Sequence, residues 1–277
     1  MESPATHSLK AVFVLSVSSD IGEQLALHYL DLGLRVAGTY RKELPASLRD
    51  RPSFAALRCD VSERESGAQI AAFLRSEDFR WDLFVSCVGQ LAPVGPFFGC
   101  DFDQWSDSVA TNSVAQLRAL HSAYPMRRAS GMSHVVFFAG GGTNNPFPSY
   151  SAYCVGKIAL IKMCELLDDE NPDLNVFILG TGWVRTKIHE QTLEAGALAG
   201  ANLQKTRSFM DQGIQGTSHA DIAAMIRWGI EQGRPVAGGR NFSVVHDAWN
   251  RDGPGLAAAL SSDADKFKLR RHGNSKN

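Results

Sequence analysis

Seven short runs rich in Val, Ile, Leu and Phe punctuate this chain, at residues 10–15, 35–40, 54–59, 81–87, 134–139, 175–180 and 241–246. Such runs are apolar on both faces, as parallel strands are when helices cover the sheet on both sides. Between them lie segments with helical apolar spacing, at 22–32, 62–76, 103–126, 150–168 and 219–232. Leu25, Ala26, Tyr29 and Leu30 mark the first of these helices, and Ser62 is placed as the N-cap of the second. Strands alternating with helices through right-handed crossovers give an α/β, doubly wound parallel sheet of about seven strands.

No linker, repeat or low-complexity block divides the 277 residues, so a single domain is expected over 8–260. The longest stretch without a strand, about 183–238, predicts a lid and substrate lobe above the carboxyl ends of the strands. From residue 261 the chain is basic, with Lys266, Lys268, Arg270, Arg271 and Lys276, and a solvated, flexible tail is expected. Hydrophobic content of 44% and charged content of 21% are those of a soluble globular protein with a sizeable core. A net charge of -1 gives no general attraction to nucleic acid or to an anionic membrane. No apolar run approaches the roughly 18 residues of a membrane span, and the first ten residues lack the apolar core of a signal peptide. Five cysteines, an odd number without a CxxC pair, read as reduced thiols of a cytoplasmic protein, with neither a disulfide frame nor a metal site.

Two segments carry chemistry. The turn at 15–22, Leu-Ser-Val-Ser-Ser-Asp-Ile-Gly, lies between the first strand and the first helix. A dinucleotide-binding fold puts its phosphate loop there, because backbone N–H groups and a helix N-terminus are then aimed at the pyrophosphate. A Ser-rich turn that merely caps a helix needs no ligand, so this segment alone decides little. The second is Tyr153 with Lys157, spaced i, i+4 on one predicted helix and therefore sharing a face. A free phenol titrates near 10, too high for efficient proton transfer at neutral pH, and a nearby ammonium favours the phenolate. A Tyr-x-x-x-Lys match arises by chance about once in six such sequences. Its position gives it weight: it follows the fifth strand by one loop.

In chain order these segments resemble the short-chain dehydrogenase/reductase family, single-domain branch, which implies a Rossmann fold. The turn resembles TGxSSGIG. Ser18, Ser19, Ile21 and Gly22 match, Ser16 and Asp20 stand where the family has glycines, and Leu15 replaces the threonine. The resemblance implies that Ser16, Ser18, Ser19, Ile21 and Gly22 bind cofactor. Asp60 and Val61 match the Asp-Val that the family places beside the adenine. Gly89 ends Ser86-Cys87-Val88-Gly89, in the place of NNAG. The segment at 181–186 resembles PGxxxT, with Thr186 a candidate donor to the nicotinamide carboxamide. After the second strand no acidic residue awaits the ribose diol. Arg41 is instead placed to pair with a 2′-phosphate, which favours NADP over NAD.

At the reactive centre the resemblance makes Tyr153 the general acid/base, with Lys157 lowering its pKa and bonding the nicotinamide ribose. Asn112 resembles the asparagine that distorts its helix and holds a water connected to the lysine. The family's serine, about thirteen residues before the tyrosine, is missing: Gly140 stands there, in Ala-Gly-Gly-Gly-Thr. Thr143 is the first candidate to replace it, with Ser149, a water or the glycines' N–H groups as alternatives. The implied reaction is NADP(H)-dependent hydride transfer with a small carbonyl or alcohol substrate. The Ser-Ser-Asp-Ile-Gly turn is similar to members in bacterial sugar and polysaccharide pathways, and polyketide, steroid-like and small ketones stay open. Phe97, Phe98, Trp183, Phe209 and Met210 line a pocket or belong to the core. A homodimer or homotetramer pairing the helices at 103–126 and 150–168 is implied. The competing reading is a nucleotide-binding sensor or scaffold that kept the fold and lost the chemistry. The altered turn and absent serine favour it; the retained Tyr153, Lys157 and Asn112 favour the enzyme.

Overall fold

The computed structural model describes residues 9–211, 213 and 216–271. All seven runs form strands: β1 (Ala11–Leu15), β2 (Arg35–Tyr40), β3 (Phe54–Arg58), β4 (Leu83–Ser86), β5 (Ser133–Phe138), β6 (Leu174–Gly180) and β7 (Asn241–Ser243). They make one sheet in the order β3-β2-β1-β4-β5-β6-β7, parallel at every pairing. The chain winds outward from β1 to β3, then returns to pair β4 against the other edge of β1. The reversal opens a crevice at the carboxyl ends of β1 and β4, where doubly wound sheets bind ligands.

The helices are α1 (Asp20–Asp31), α2 (Ser66–Ser76), α3 (Phe102–Asn112), α4 (Val114–Ala123), α5 (Ser151–Glu170), α6 (Ile188–Ala195), α7 (Ala201–Asp211), α8 (His219–Gln232), α9 (Arg234–Ala237) and α10 (Gly253–Ser262). Alternate residues of β1 enter two cores. Val12 and Val14 pack with Leu25 of α1, Ile222 and Ile226 of α8 and Leu256 of α10. Phe13 and Leu15 pack with Ile70 and Leu74 of α2, Leu120 of α4 and Leu160 of α5. Each such side chain, fully buried, contributes about 1.5–3 kcal/mol.

Four expectations are corrected. Ser62 does not cap α2. Its N–H and Oγ both donate to Asp60 Oδ1, at 3.0 and 2.7 Å, and this local turn delays the helix to Ser66. The segment at 103–126 is not one helix. Ser113, at φ -139° and ψ -77°, breaks it into α3 and α4, and a 3-10 turn with Pro125 ends it. Within 183–238, α8 packs on α1 and the sheet, so the lobe over the strand ends is the α6–α7 pair. Finally, residues 263–271 are packed and not loose. Buried Arg240 donates to the carbonyls of Val236, Leu260, Asp263 and Lys266 at 2.6–3.0 Å. Phe267 meets the edge of Phe242 at 5.8 Å, and Arg270 pairs with Glu165. Lys276 lies outside the described residues. Among the described residues no helix is long and apolar enough to cross a membrane.

Candidate active site

The carboxyl ends of the strands open into a cleft of about 1170 Å³, which runs from the turn after β1 to the α6–α7 lobe. The turn is held tight by its own hydrogen bonds although two glycines of the motif it resembles are replaced. Ser16 takes φ +72°, a left-handed conformation more usual for glycine, and its N–H donates to Thr39 Oγ1 at 3.0 Å. Ser19 caps α1: its Oγ accepts from Gly22 N at 3.1 Å and donates to Ser16 O at 2.8 Å. Gly22 is obligatory, since a Cβ there would lie 2.1 Å from Ser16 O. The N–H groups of Asp20 and Ile21 have no hydrogen-bond partner among the described residues, so two donors are left open at the start of α1. These features fit a dinucleotide diphosphate.

The remaining cofactor candidates gather around the same cleft: Arg41, Asp60, Val61, Gly89 and Thr186 all line it. The Arg41 guanidinium is exposed and makes no ion pair among the described residues. Asp60 already accepts two hydrogen bonds from Ser62. Thr186 Oγ1 has a long 3.4 Å contact to Val184 O.

Tyr153 and Lys157 share the cleft-facing side of α5, both buried. Lys157 Nζ lies 5.8 Å from the centre of the Tyr153 ring and donates to Val88 O at 2.9 Å. Burial raises the Tyr153 pKa above its usual value and lowers that of Lys157 to about 8. The ammonium is therefore still the main form at neutral pH.

Asn112, fully buried, ends α3 at the helix break. Its Nδ2 donates to Gln90 O at 2.8 Å and to Ser108 O at 3.0 Å, and its Oδ1 accepts from Gln90 N at 3.1 Å. It thus clamps the loop after β4, one residue beyond Gly89.

The serine's place is filled from the other side. A Cβ built on Gly140 would lie 2.2 Å from Tyr153 Oη and 2.4 Å from its ring carbons. Thr143 lines the cleft, with its hydroxyl donating to Gly140 O at 3.2 Å. Of the five large side chains weighed as pocket lining, Trp183 lines this cleft, stacked on His189 at 5.2 Å. Phe209 is buried behind Trp183, and Phe98 is 99% exposed beside Phe97, away from the cleft. Met210 does not line the cleft either.

Several residues escaped the sequence. Gln191 Oε1 accepts from the N–H groups of Leu91 and Ala92 at 2.9 and 3.0 Å, tying α6 to the loop after β4. Lys187 reaches back to the phosphate turn, donating from Nζ to Ser18 O and from its N–H to Asp20 Oδ2, both at 2.8 Å. Its only sequence signal is its place directly after Thr186.

A doubly wound parallel sheet, with a Ser-rich turn at its switch point and a buried Tyr–Lys pair in the same cleft, defines a Rossmann-type α/β protein. Residues 10–196 match the family described as short chain dehydrogenase, and the chain belongs to that family, whose members use NAD(P). It is 24% identical over 178 residues to the short chain dehydrogenase pigC of Monascus ruber, covering 60% of this chain and 59% of that protein. The matched segment thus spans about three fifths of that relative's length. Among solved structures, a short chain dehydrogenase/reductase from Saccharomyces cerevisiae superposes with a TM-score of 0.75 at 22% identity, over 94% of this chain and all of the other. An actinorhodin polyketide ketoreductase crystallised with NADPH gives 0.70 at 19% identity, over 87% and 97%. Both likenesses speak for the fold.

Proposed function

We propose that this chain is an NADP(H)-dependent oxidoreductase that moves a hydride between the nicotinamide and a small carbonyl or alcohol substrate. The observation that carries the reading is the buried Tyr153–Lys157 pair, in a cleft that also takes in an anion-receptive turn. Ser16, Ser18, Ser19, Ile21 and Gly22 would hold the diphosphate, Arg41 the 2′-phosphate, and Asp60 with Val61 the adenine. Gly89 lets the cofactor lie close to the chain, Lys157 takes the ribose and Thr186 the carboxamide. The bound dinucleotide supplies or accepts the hydride.

In reduction Tyr153 Oη gives its proton to the carbonyl oxygen, and the Lys157 ammonium stabilises the phenolate left behind. In oxidation the same phenolate takes the proton from the alcohol. Asn112 is a positioning residue: it fixes the Gln90 main chain and the α3–α4 break beside the lysine. Thr143 polarises the carbonyl once its hydroxyl leaves Gly140 O, with the N–H groups of 140–142 as the alternative donors. Exposed Phe102 and Val155, on α3 and α5, support a homodimer or homotetramer built on those helices. The five free thiols support a cytoplasmic setting.

Fluorescence titration with NADPH and NADH, followed by a panel of small ketones, aldoses, steroid-like and polyketide-type ketones, tests the reading. Tyr153→Phe is expected to abolish turnover and spare NADPH binding. Substantial residual turnover in that variant overturns the mechanism. Cofactor binding without turnover across the panel supports a sensor or scaffold instead.

A further inference from the structure

Asp20 is the first residue of α1, at the point where the proposed diphosphate would sit. A carboxylate there would repel an anion if it faced the cleft. It does not stand alone. Its Oδ2 accepts from Lys187 N at 2.8 Å, and its Oδ1 lies 3.8 Å from Lys187 Nζ. Lys187 Nζ also donates to Ser18 O at 2.8 Å, so the ammonium already rests on the phosphate turn. Lys187 belongs to the entry of α6, on the opposite side of the cleft.

We propose that Lys187 is a cation for the cofactor diphosphate and that Asp20 is its internal counter-ion until the dinucleotide arrives. This rests on the cofactor reading above. Three observations carry it. The open N–H groups of Asp20 and Ile21 and the Lys187 ammonium converge on one turn, giving a diphosphate both a helix start and a point charge. The pair is exposed, with side-chain accessibilities of 57% for Lys187 and 32% for Asp20, so exchanging the carboxylate for a diphosphate costs little. Lys187 also follows Thr186 directly, so one segment presents the carboxamide donor and the diphosphate cation together. The α6 lobe is fastened at two points, by Gln191 to the loop after β4 and by Lys187 to the turn. The Lys187 fastening is the exposed one, and Asp20 therefore sets how readily the lobe gives way to cofactor.

The test is a set of equilibrium titrations of full-length wild type, Lys187→Gln, Lys187→Arg, Asp20→Asn and the Lys187→Gln/Asp20→Asn double variant. The ligands are NADPH and adenosine 2′-monophosphate, which lacks the diphosphate. Lys187→Gln is expected to weaken NADPH about tenfold, with Lys187→Arg recovering most of the loss. Asp20→Asn is expected to tighten NADPH about fivefold, by removing both the repulsion and the competitor for Lys187. The Lys187→Gln penalty should be larger in the Asp20→Asn background than in wild type. Adenosine 2′-monophosphate should bind all variants alike. Unchanged NADPH affinity in Lys187→Gln, or equal shifts for both ligands, overturns the cation role. Weaker NADPH binding by Asp20→Asn overturns the counter-ion role. Wild type that binds neither NADPH nor NADH overturns the cofactor reading itself, and is told apart by the first titration.

Discussion

Lys157 is 3% exposed, and its ammonium has one hydrogen-bond partner among the described residues, Val88 O at 2.9 Å. Burial lowers its pKa from the ordinary 10.5 to about 8. At about 1.4 kcal/mol per pKa unit, holding that charge in the native state below pH 8 costs about 3 kcal/mol. Lys157→Met keeps the length of the side chain and removes the charge. It also strands the Val88 carbonyl, which costs about 1–3 kcal/mol, so at pH 7 the variant is expected to be up to about 2 kcal/mol more stable than wild type. The pH dependence is the sharper measurement. Between pH 8 and 10.5 the native chain has released the Lys157 proton while the unfolded chain still holds it. The unfolded state then binds more protons, so wild-type stability rises with pH across this window relative to the variant. Urea unfolding at a series of pH values from 7 to 10.5 should show the difference move by about 3 kcal/mol in favour of wild type. A difference that stays flat over this range would refute burial as the origin of the shift. Turnover is expected to be lost in the variant, which would make the lysine a residue kept for chemistry at the expense of stability.

Gly140→Ala sets a methyl 2.2 Å from Tyr153 Oη and so displaces the ring. Steady-state assays should show turnover falling about tenfold or more with NADPH affinity within twofold, since small misplacements of a reacting group are costly. Arg41→Ser should weaken NADPH about tenfold while leaving NADH unchanged in parallel titrations, because a charge-assisted contact to the 2′-phosphate is lost. Thr143→Val should cut turnover at least about tenfold if its hydroxyl polarises the carbonyl, and unchanged turnover moves that role to the N–H groups of 140–142.

The sheet was legible because its central strands β1, β4, β5 and β6 are buried on both faces and so are written as apolar runs, and the half-buried edge strands β3 and β7 are still apolar enough to stand out. β2 and β6 fall within one residue of their expected ends. The lobe was not legible in the same way. The α7 sequence, Ala-Asn-Leu-Gln-Lys-Thr-Arg-Ser-Phe-Met-Asp, buries Asn202, Thr206 and Phe209, too few apolar positions to declare a face. The tail misled because its basic residues suggest solvent. What pins it is the buried guanidinium of Arg240, and no local pattern announces that a distant arginine will collect five carbonyls, two of them in the tail. In the site, Tyr153 and Lys157 were readable from i, i+4 spacing, whereas Asp20 and Lys187 meet across 167 positions. Such a contact belongs to the fold and leaves no trace in either segment alone.

Gly140 and Tyr153 are best understood together. The missing serine is not a simple deletion from an otherwise unchanged site, because the phenol occupies the space that any side chain at 140 would need. The tyrosine is thereby held against the end of β5 and away from water. Burial then keeps its proton on, while Lys157, near 8, stays mostly charged at neutral pH. A protonated phenol beside an ammonium is an acid ready to donate and a poor base until a charge or a partner arrives. In the proposed mechanism this is the form from which the reduction starts. The glycine that removes one hydrogen-bond donor is also what lets the remaining one sit this deep.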